Sequence, residues 1–113
     1  MHELSILGEV VRIVEQSMAA NNLKKVKTIV LQVGELSGVV PRFLEECYAA
    51  ASYKTPLDGS TLDIEIIPAL ARCHACGKVF NIVENNSRCQ SCRNEGFDIL
   101  TGRDFFIKHI VAI

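Results

Sequence analysis

Apolar residues recur at spacings of three and four near the start of the chain, at Leu4, Leu7, Val10, Val11, Val14 and Met18, with Arg12, Glu15 and Gln16 on the opposite side. That period predicts an amphipathic helix. It stops at Asn21 and Asn22, residues that tolerate the left-handed backbone of a helix end. The stretch KVKTIVLQVGELS then changes period, placing Ile29, Leu31 and Val33 on one face and Val30 and Gln32 on the other, and it predicts a strand. Gly34 and Gly38 loosen the chain into a loop, and Pro41 suits the first position of a second helix. Phe43, Leu44, Cys47, Tyr48 and Ala51 form its apolar stripe, which ends before the turn residues of KTPLDGS.

Leu62, Ile64 and Ile66 alternate with Asp63 and Glu65, a half-buried strand that Pro68 ends. The order strand, helix, strand predicts a right-handed crossover joining a parallel pair. At the far end, DFFIKHIVAI sets Phe105, Ile107, His109 and Val111 against Phe106, Lys108, Ile110 and Ala112, a strand that completes the sheet. Between them, from about Leu70 to Thr101, the long periods vanish and four of the five cysteines appear. The pattern predicts an α+β fold in which two helices lie on a small three-stranded mixed sheet, with an inserted zinc-ribbon module. Residues 1–69 plus 103–113 form the helix-bearing domain and residues 70–102 the ribbon.

Composition changes this picture little. Apolar residues are 49% of 113 and the net charge is -1, so no global field points to nucleic acid, a membrane surface or an acidic substrate. Glu3, Glu9 and Arg12 interrupt the first apolar stretch, and no run approaches the ~20 residues of a membrane span. A soluble, cytoplasmic protein is expected. Five cysteines is an odd number, which suits metal or redox chemistry in a reducing compartment better than a closed set of disulfides.

Cys73 and Cys76, then Cys89 and Cys92, make two Cys-x2-Cys pairs separated by twelve residues. Two sulfurs three positions apart in a tight turn can face one ion. Two such knuckles at the base of a hairpin through Val79, Phe80 and Ile82 give a closed tetrahedral site, with Zn–S bonds of ~2.3 Å. Rubredoxin-like iron fits the same spacing, and two disulfides are the plainer alternative. A closed site has no open coordination position, so its role is structural. Arg72, Lys78, Arg88 and Arg93 lie near enough in sequence to offset the thiolate charge. His74, inside the first knuckle, is expected to point to solvent, with exchange for a cysteine ligand as the sharper alternative. Cys47 reads as core filling, and His109 as a hydrogen-bonded core or edge residue.

The opening MHE is the second candidate. A residue as large as His2 keeps the initiator methionine in place, so the Met1 amine, the His2 backbone nitrogen and the His2 ring can close fused chelate rings around one cation. A planar nitrogen set favours Ni(II) or Cu(II) over zinc or magnesium. Glu3 can lend a carboxylate, touch a partner, or favour the positive first turn of the helix. On chemistry alone, a histidine that merely starts a helix remains the alternative.

MHELS, the VGELSGV loop, LDIEIIPA leading into the first Cys-x2-Cys, and GFDILTGRDFFIKHI after the second together resemble the HypA/HybF hydrogenase nickel-incorporation family along essentially the whole chain. The resemblance implies a metallochaperone, not an enzyme. Its cargo would be Ni(II), held by His2 with the Met1 amine and neighbouring amides, with Glu3 beside it. Its structural Zn(II) would sit on Cys73, Cys76, Cys89 and Cys92. The implied partners are a nickel-handling maturation GTPase and the [NiFe]-hydrogenase large-subunit precursor, in some bacteria also the urease accessory machinery, with a monomer or homodimer as the working form. The runner-up from the residues is a zinc-ribbon nucleic-acid adaptor, which needs a basic face with stacking aromatics and finds only Phe80 and Phe97 near the knuckles. A small metalloenzyme built on His2 and Glu3 is a third reading, short of further ligands.

Overall fold

A computed structural model describes residues 3–113. Helix α1 (Glu3–Ala20) is followed by β1 (Val26–Gly34), α2 (Pro41–Ser52) and β2 (Thr61–Ile67). Next come β3 (Leu70–Cys73), β4 (Val79–Asn81) and β5 (Phe97–Ile99), and β6 (Phe105–Ala112) closes the chain. The strands form two three-stranded sheets, ordered β2-β1-β6 and β4-β3-β5. β1 pairs with β2 in parallel and with β6 antiparallel, the mixed sheet expected from the sequence.

Each helix ends where its residues dictate. At the end of α1 the Leu23 amide donates to the Met18 carbonyl at 2.9 Å across Asn22, whose φ of 54° is the left-handed turn of a helix cap. α2 starts on Pro41, whose fixed φ and missing N–H cost nothing in a first turn. Leu7, Val10, Val11, Val14 and Met18 of α1 and Leu44 and Tyr48 of α2 bury themselves on Ile29, Leu31 and Val33 of β1. The opposite face of the sheet is polar at Gln32, whose amide donates to Glu65 at 3.2 Å, while Lys108 bonds the same carboxylate at 3.0 and 3.1 Å.

Several positions depart from the simple periods, among them Leu4, which heads the apolar stripe of α1 but is exposed. Lys108 is an extra residue in β6: Val30 faces His109 but Leu31 faces Ile107. This bulge moves the apolar set onto Phe105, Ile107 and Ile110, which pack on the core, and turns His109 and Val111 outward, against the alternation expected of them. Ile66 and Phe43 are likewise exposed rather than inward: Ile66 is the next-to-last residue of β2, and the Phe43 ring lies under the Arg42 guanidinium at 5.2 Å.

The smaller sheet has its own core of Ala69, Ala71, Cys73, Phe80, Ile82 and Cys89. The two cores stand end to end, so the radius of gyration is 17.5 Å where a compact chain of this length would have ~13 Å. α1 runs back along β1 from the end where the Ile113 amide meets the Lys25 carbonyl. Its first turns therefore lie beside Phe105 and Phe106, at the end of the main sheet from which the second sheet leaves.

Candidate metal centre

The two knuckles are built alike. In the first, the Gly77 amide donates to the Cys73 carbonyl at 3.0 Å and the Cys73 amide to the Lys78 carbonyl at 2.9 Å. In the second, the Arg93 amide donates to Cys89 at 2.8 Å and the Cys89 amide to Asn94 at 3.1 Å. The residue after each second cysteine is left-handed, with φ of 75° at Gly77 and 60° at Arg93. Glycine adopts that conformation freely; arginine does so under the constraint of the turn.

These turns bring the four sulfurs together. All lie within 4.8 Å of one another, with Cys73 to Cys92 and Cys76 to Cys89 at 3.5 Å, and all four cysteines are free of disulfides. A tetrahedral ion with ~2.3 Å bonds to sulfur would need sulfur–sulfur edges of ~3.8 Å. The donors fit one zinc-sized ion and leave no protein-free position around it. Cys73 and Cys89 are buried and Cys76 and Cys92 exposed, so the set closes the end of the small core.

The first cysteine of each pair is the more acidic. Amides of Cys76 and Ala75 lower the Cys73 thiol, and amides of Cys92 and Ser91 bring Cys89 down to about 6, because N–H donors favour the thiolate. The second cysteines move the other way. At Cys92 the Asn94 amide is outweighed by the neighbouring sulfur of Cys73, by burial, and by Cys89 and Cys76, which together push it up to about 11. At Cys76 the Lys78 amide is likewise outweighed, chiefly by Cys89 and burial. Four thiolates do not accumulate in so small a space without a cation, and loading the site expels the remaining protons.

The side chains around the cluster are partly engaged elsewhere. His74 is half-exposed and its Nε2 stands 3.0 Å from Asp98 Oδ1 on β5, with its Nδ1 against Gly96, so it is not among the atoms that converge. Arg88 pairs with Glu95 rather than offsetting the sulfurs. Phe80 is only 3% exposed and meets Phe97 edge to face at 5.7 Å. Those rings fill the core, so Phe80 offers a nucleic-acid base no stacking surface.

At the other candidate, Met1 and His2 lie outside the described residues. Glu3 is half-buried in the first turn of α1. Cys47 is half-buried against the main core, as its place on the α2 stripe predicts. Sequence reasoning passed over Glu35, in the VGELSGV loop, whose carboxylate joins the two sheets, and Leu57, which is fully buried within a segment rich in turn residues.

A two-helix mixed sheet carrying a second, four-cysteine sheet at its end defines a small metal-handling protein with a ribbon-type knuckle site. Residues 1–112 match the family described as "Hydrogenase/urease nickel incorporation, metallochaperone, hypA". Proteins named "Hydrogenase maturation factor HypA" from Geotalea uraniireducens and Chlorobaculum parvum are 37% and 38% identical over 110 residues, with 97% of each chain covered. The solution structure of the Ni metallochaperone HypA from Helicobacter pylori shares the fold at a TM-score of 0.67 and 19% identity, covering 100% of this chain and 98% of that one. A second HypA solution structure gives 0.70 at 19% identity, covering 100% and 97%. The chain belongs to the HypA family of nickel metallochaperones in hydrogenase maturation.

Proposed function

We propose that this protein binds one Ni(II) at its amino terminus, through the Met1 amine, the His2 ring and neighbouring backbone nitrogens with Glu3 alongside, and delivers it to the large-subunit precursor of a [NiFe]-hydrogenase. The observation that carries the reading is the closed sulfur cluster, with its four donors within 4.8 Å, in a chain of this family. A site with all four positions taken by Cys73, Cys76, Cys89 and Cys92 suits a resident structural Zn(II), which leaves the cargo to another set of ligands. Zinc there supplies four strong bonds that order residues 70–102, a stretch too short in apolar side chains to fold by its core alone.

The amino terminus has the opposite chemistry. Amine, imidazole and amide nitrogens on adjacent residues favour a planar ion and give it up as they take up protons or as a partner offers competing ligands. The protein then acts by carriage rather than turnover, with a nickel-handling GTPase of the maturation machinery as its working partner. In some members of the family urease is the second destination.

The test is a titration of Ni(II) into zinc-loaded, untagged protein, followed by calorimetry and optical absorption. It is run beside His2→Ala and a variant with one extra glycine before Met1. Tight binding with a planar-nickel band in the unmodified protein alone supports the amino-terminal site. Equal binding by all three overturns it.

A further inference from the structure

Three chain segments cross where the sheets meet: residues 34–36 at the end of β1, residues 67–69 from the end of β2 to the start of β3, and residues 100–104 before β6. Backbone bonds tie them together, from Gly34 N–H to Asp104 O at 2.9 Å, Glu35 N–H to Ile67 O at 3.0 Å and Leu36 N–H to Gly102 O at 2.8 Å. None of these bonds reaches a strand of the second sheet. The Glu35 side chain goes further: its Oε1 accepts the amide of Ala69 at 2.8 Å and the Asn81 side-chain amide at 3.0 Å. Leu70 of β3 is bonded to the connections on either side of it, its amide donating to Pro68 O and its carbonyl accepting from Leu100 and Thr101. Among the described hydrogen bonds, the Asn81 link is the one that joins residues 34–36 to a strand of the second sheet.

Asn81 is itself held for this. Its Oδ1 accepts the Glu84 amide at 3.0 Å, which turns its NH2 group toward Glu35. Apolar packing does not substitute for the bond, because Val83, in the turn after β4, faces Val39, Pro41 and Ile66 across a hollow of about 240 Å³. The two donors, Ala69 first and Asn81 second, hold the Glu35 carboxyl below the usual range against the opposing effect of burial, as expected of a carboxylate with donors aimed at its charged form.

We propose that Glu35 is a positioning residue that fixes the angle between the four-cysteine sheet and the helix-bearing sheet, so that the start of α1 and the second sheet meet a partner as one rigid surface. The inference rests on the delivery reading above only for its purpose. A metal released at the amino end must be presented at a set distance from whatever grips the second sheet, and a freely swinging module cannot do that.

The test compares full-length, zinc-loaded wild type with Glu35→Ala and Glu35→Gln. Glutamine keeps an oxygen for both donors; alanine keeps none. In wild type and Glu35→Gln, residual dipolar couplings from β1, β2 and β6 and from β3, β4 and β5 fit one alignment tensor. In Glu35→Ala the second sheet takes a separate, weaker tensor, and exchange of the Ala69 amide rises about 10- to 100-fold. A single shared tensor in Glu35→Ala overturns the proposal, and so does equal loosening by Ala and Gln. Ni(II) titration of the same samples separates the two ideas: loss of nickel binding in the wild type would refute the delivery reading and leave the tensor result standing.

Discussion

Adding one methyl group at Gly34 and at Gly8 should have opposite effects. A Cβ built on Gly34 would stand 2.2 Å from the Gly102 carbonyl oxygen, 2.4 Å from its carbon and 2.9 Å from the Asp104 carbonyl oxygen. All three are backbone atoms, so no side chain can swing aside. Relief needs a shift of about 1 Å, enough to break the Gly34–Asp104 and Leu36–Gly102 bonds, each worth about 1 kcal/mol net. Overpacking adds about 1–3 kcal/mol, giving about 3–5 kcal/mol for Gly34→Ala. Gly8 sits in the exposed face of α1 with nothing within 4 Å of its Cβ position, so Gly8→Ala should gain about 0.5–1 kcal/mol from helix propensity. Thermal unfolding at fixed zinc should lower the midpoint of Gly34→Ala by on the order of 10–20 °C and raise that of Gly8→Ala by a few degrees. A loss below about 1 kcal/mol at Gly34 would refute the close crossing of the three backbones, and a loss at Gly8 would refute the open helix face there.

Three further outcomes follow from other parts of the molecule. Stripping the resident metal with a strong chelator should collapse the amide dispersion of residues 70–99 while β1, β2 and β6 keep theirs; unchanged spectra would show that the sulfur cluster does not hold the second sheet. Leu31→Ala, at a fully buried position of β1, should cost about 2–5 kcal/mol in denaturant unfolding, through lost burial and the cavity left behind. Glu65, held below the usual carboxyl range by the Gln32 amide first and Lys108 second, contributes stability that is present above its unfolded value of about 4.3 and is lost as pH falls through its lower folded value. A carbon-detected titration of its carboxyl should place the midpoint below that of an exposed glutamate, and Gln32→Ala should move it back up.

Helices and inner strands were legible because their periods are long enough to speak for themselves: six apolar positions over fifteen residues define α1, and three alternations define the buried face of β1. The cysteine pairs were legible because ligand spacing is a local property, and the structure brings all four sulfurs together. What failed were effects of a single residue or of tertiary crossing. One extra residue at Lys108 reverses the facing of His109, Ile110 and Val111, and a period-two pattern carries no mark of the insertion. β5 has three residues, too few to show a period, and exists because β3 offers it an edge. Leu57 lies among turn residues and is buried only because the loop folds back onto the main core. Glu35 gave no signal, since a loop glutamate acquires donors only when Ala69 and Asn81 arrive from elsewhere.

The crossing at Gly34 and Gly102 explains why the two parts of the chain are joined as they are. The second sheet is entered from β2 and left toward β6, the two outer strands of the main sheet, so both connections pass the end of the central strand β1. Three backbones meet there with no room for a Cβ on Gly34 or Gly102; a Cβ on Gly102, which is held at a φ of 96°, would stand 2.7 Å from the Ala69 Cα. Such contact lets main-chain amides, not long side chains, carry the joint, and main-chain bonds have few alternative geometries. One carboxylate then extends that order from the connections to β4. α1, antiparallel to β1, begins beside Phe105 and Phe106, the first residues of β6 after the crossing.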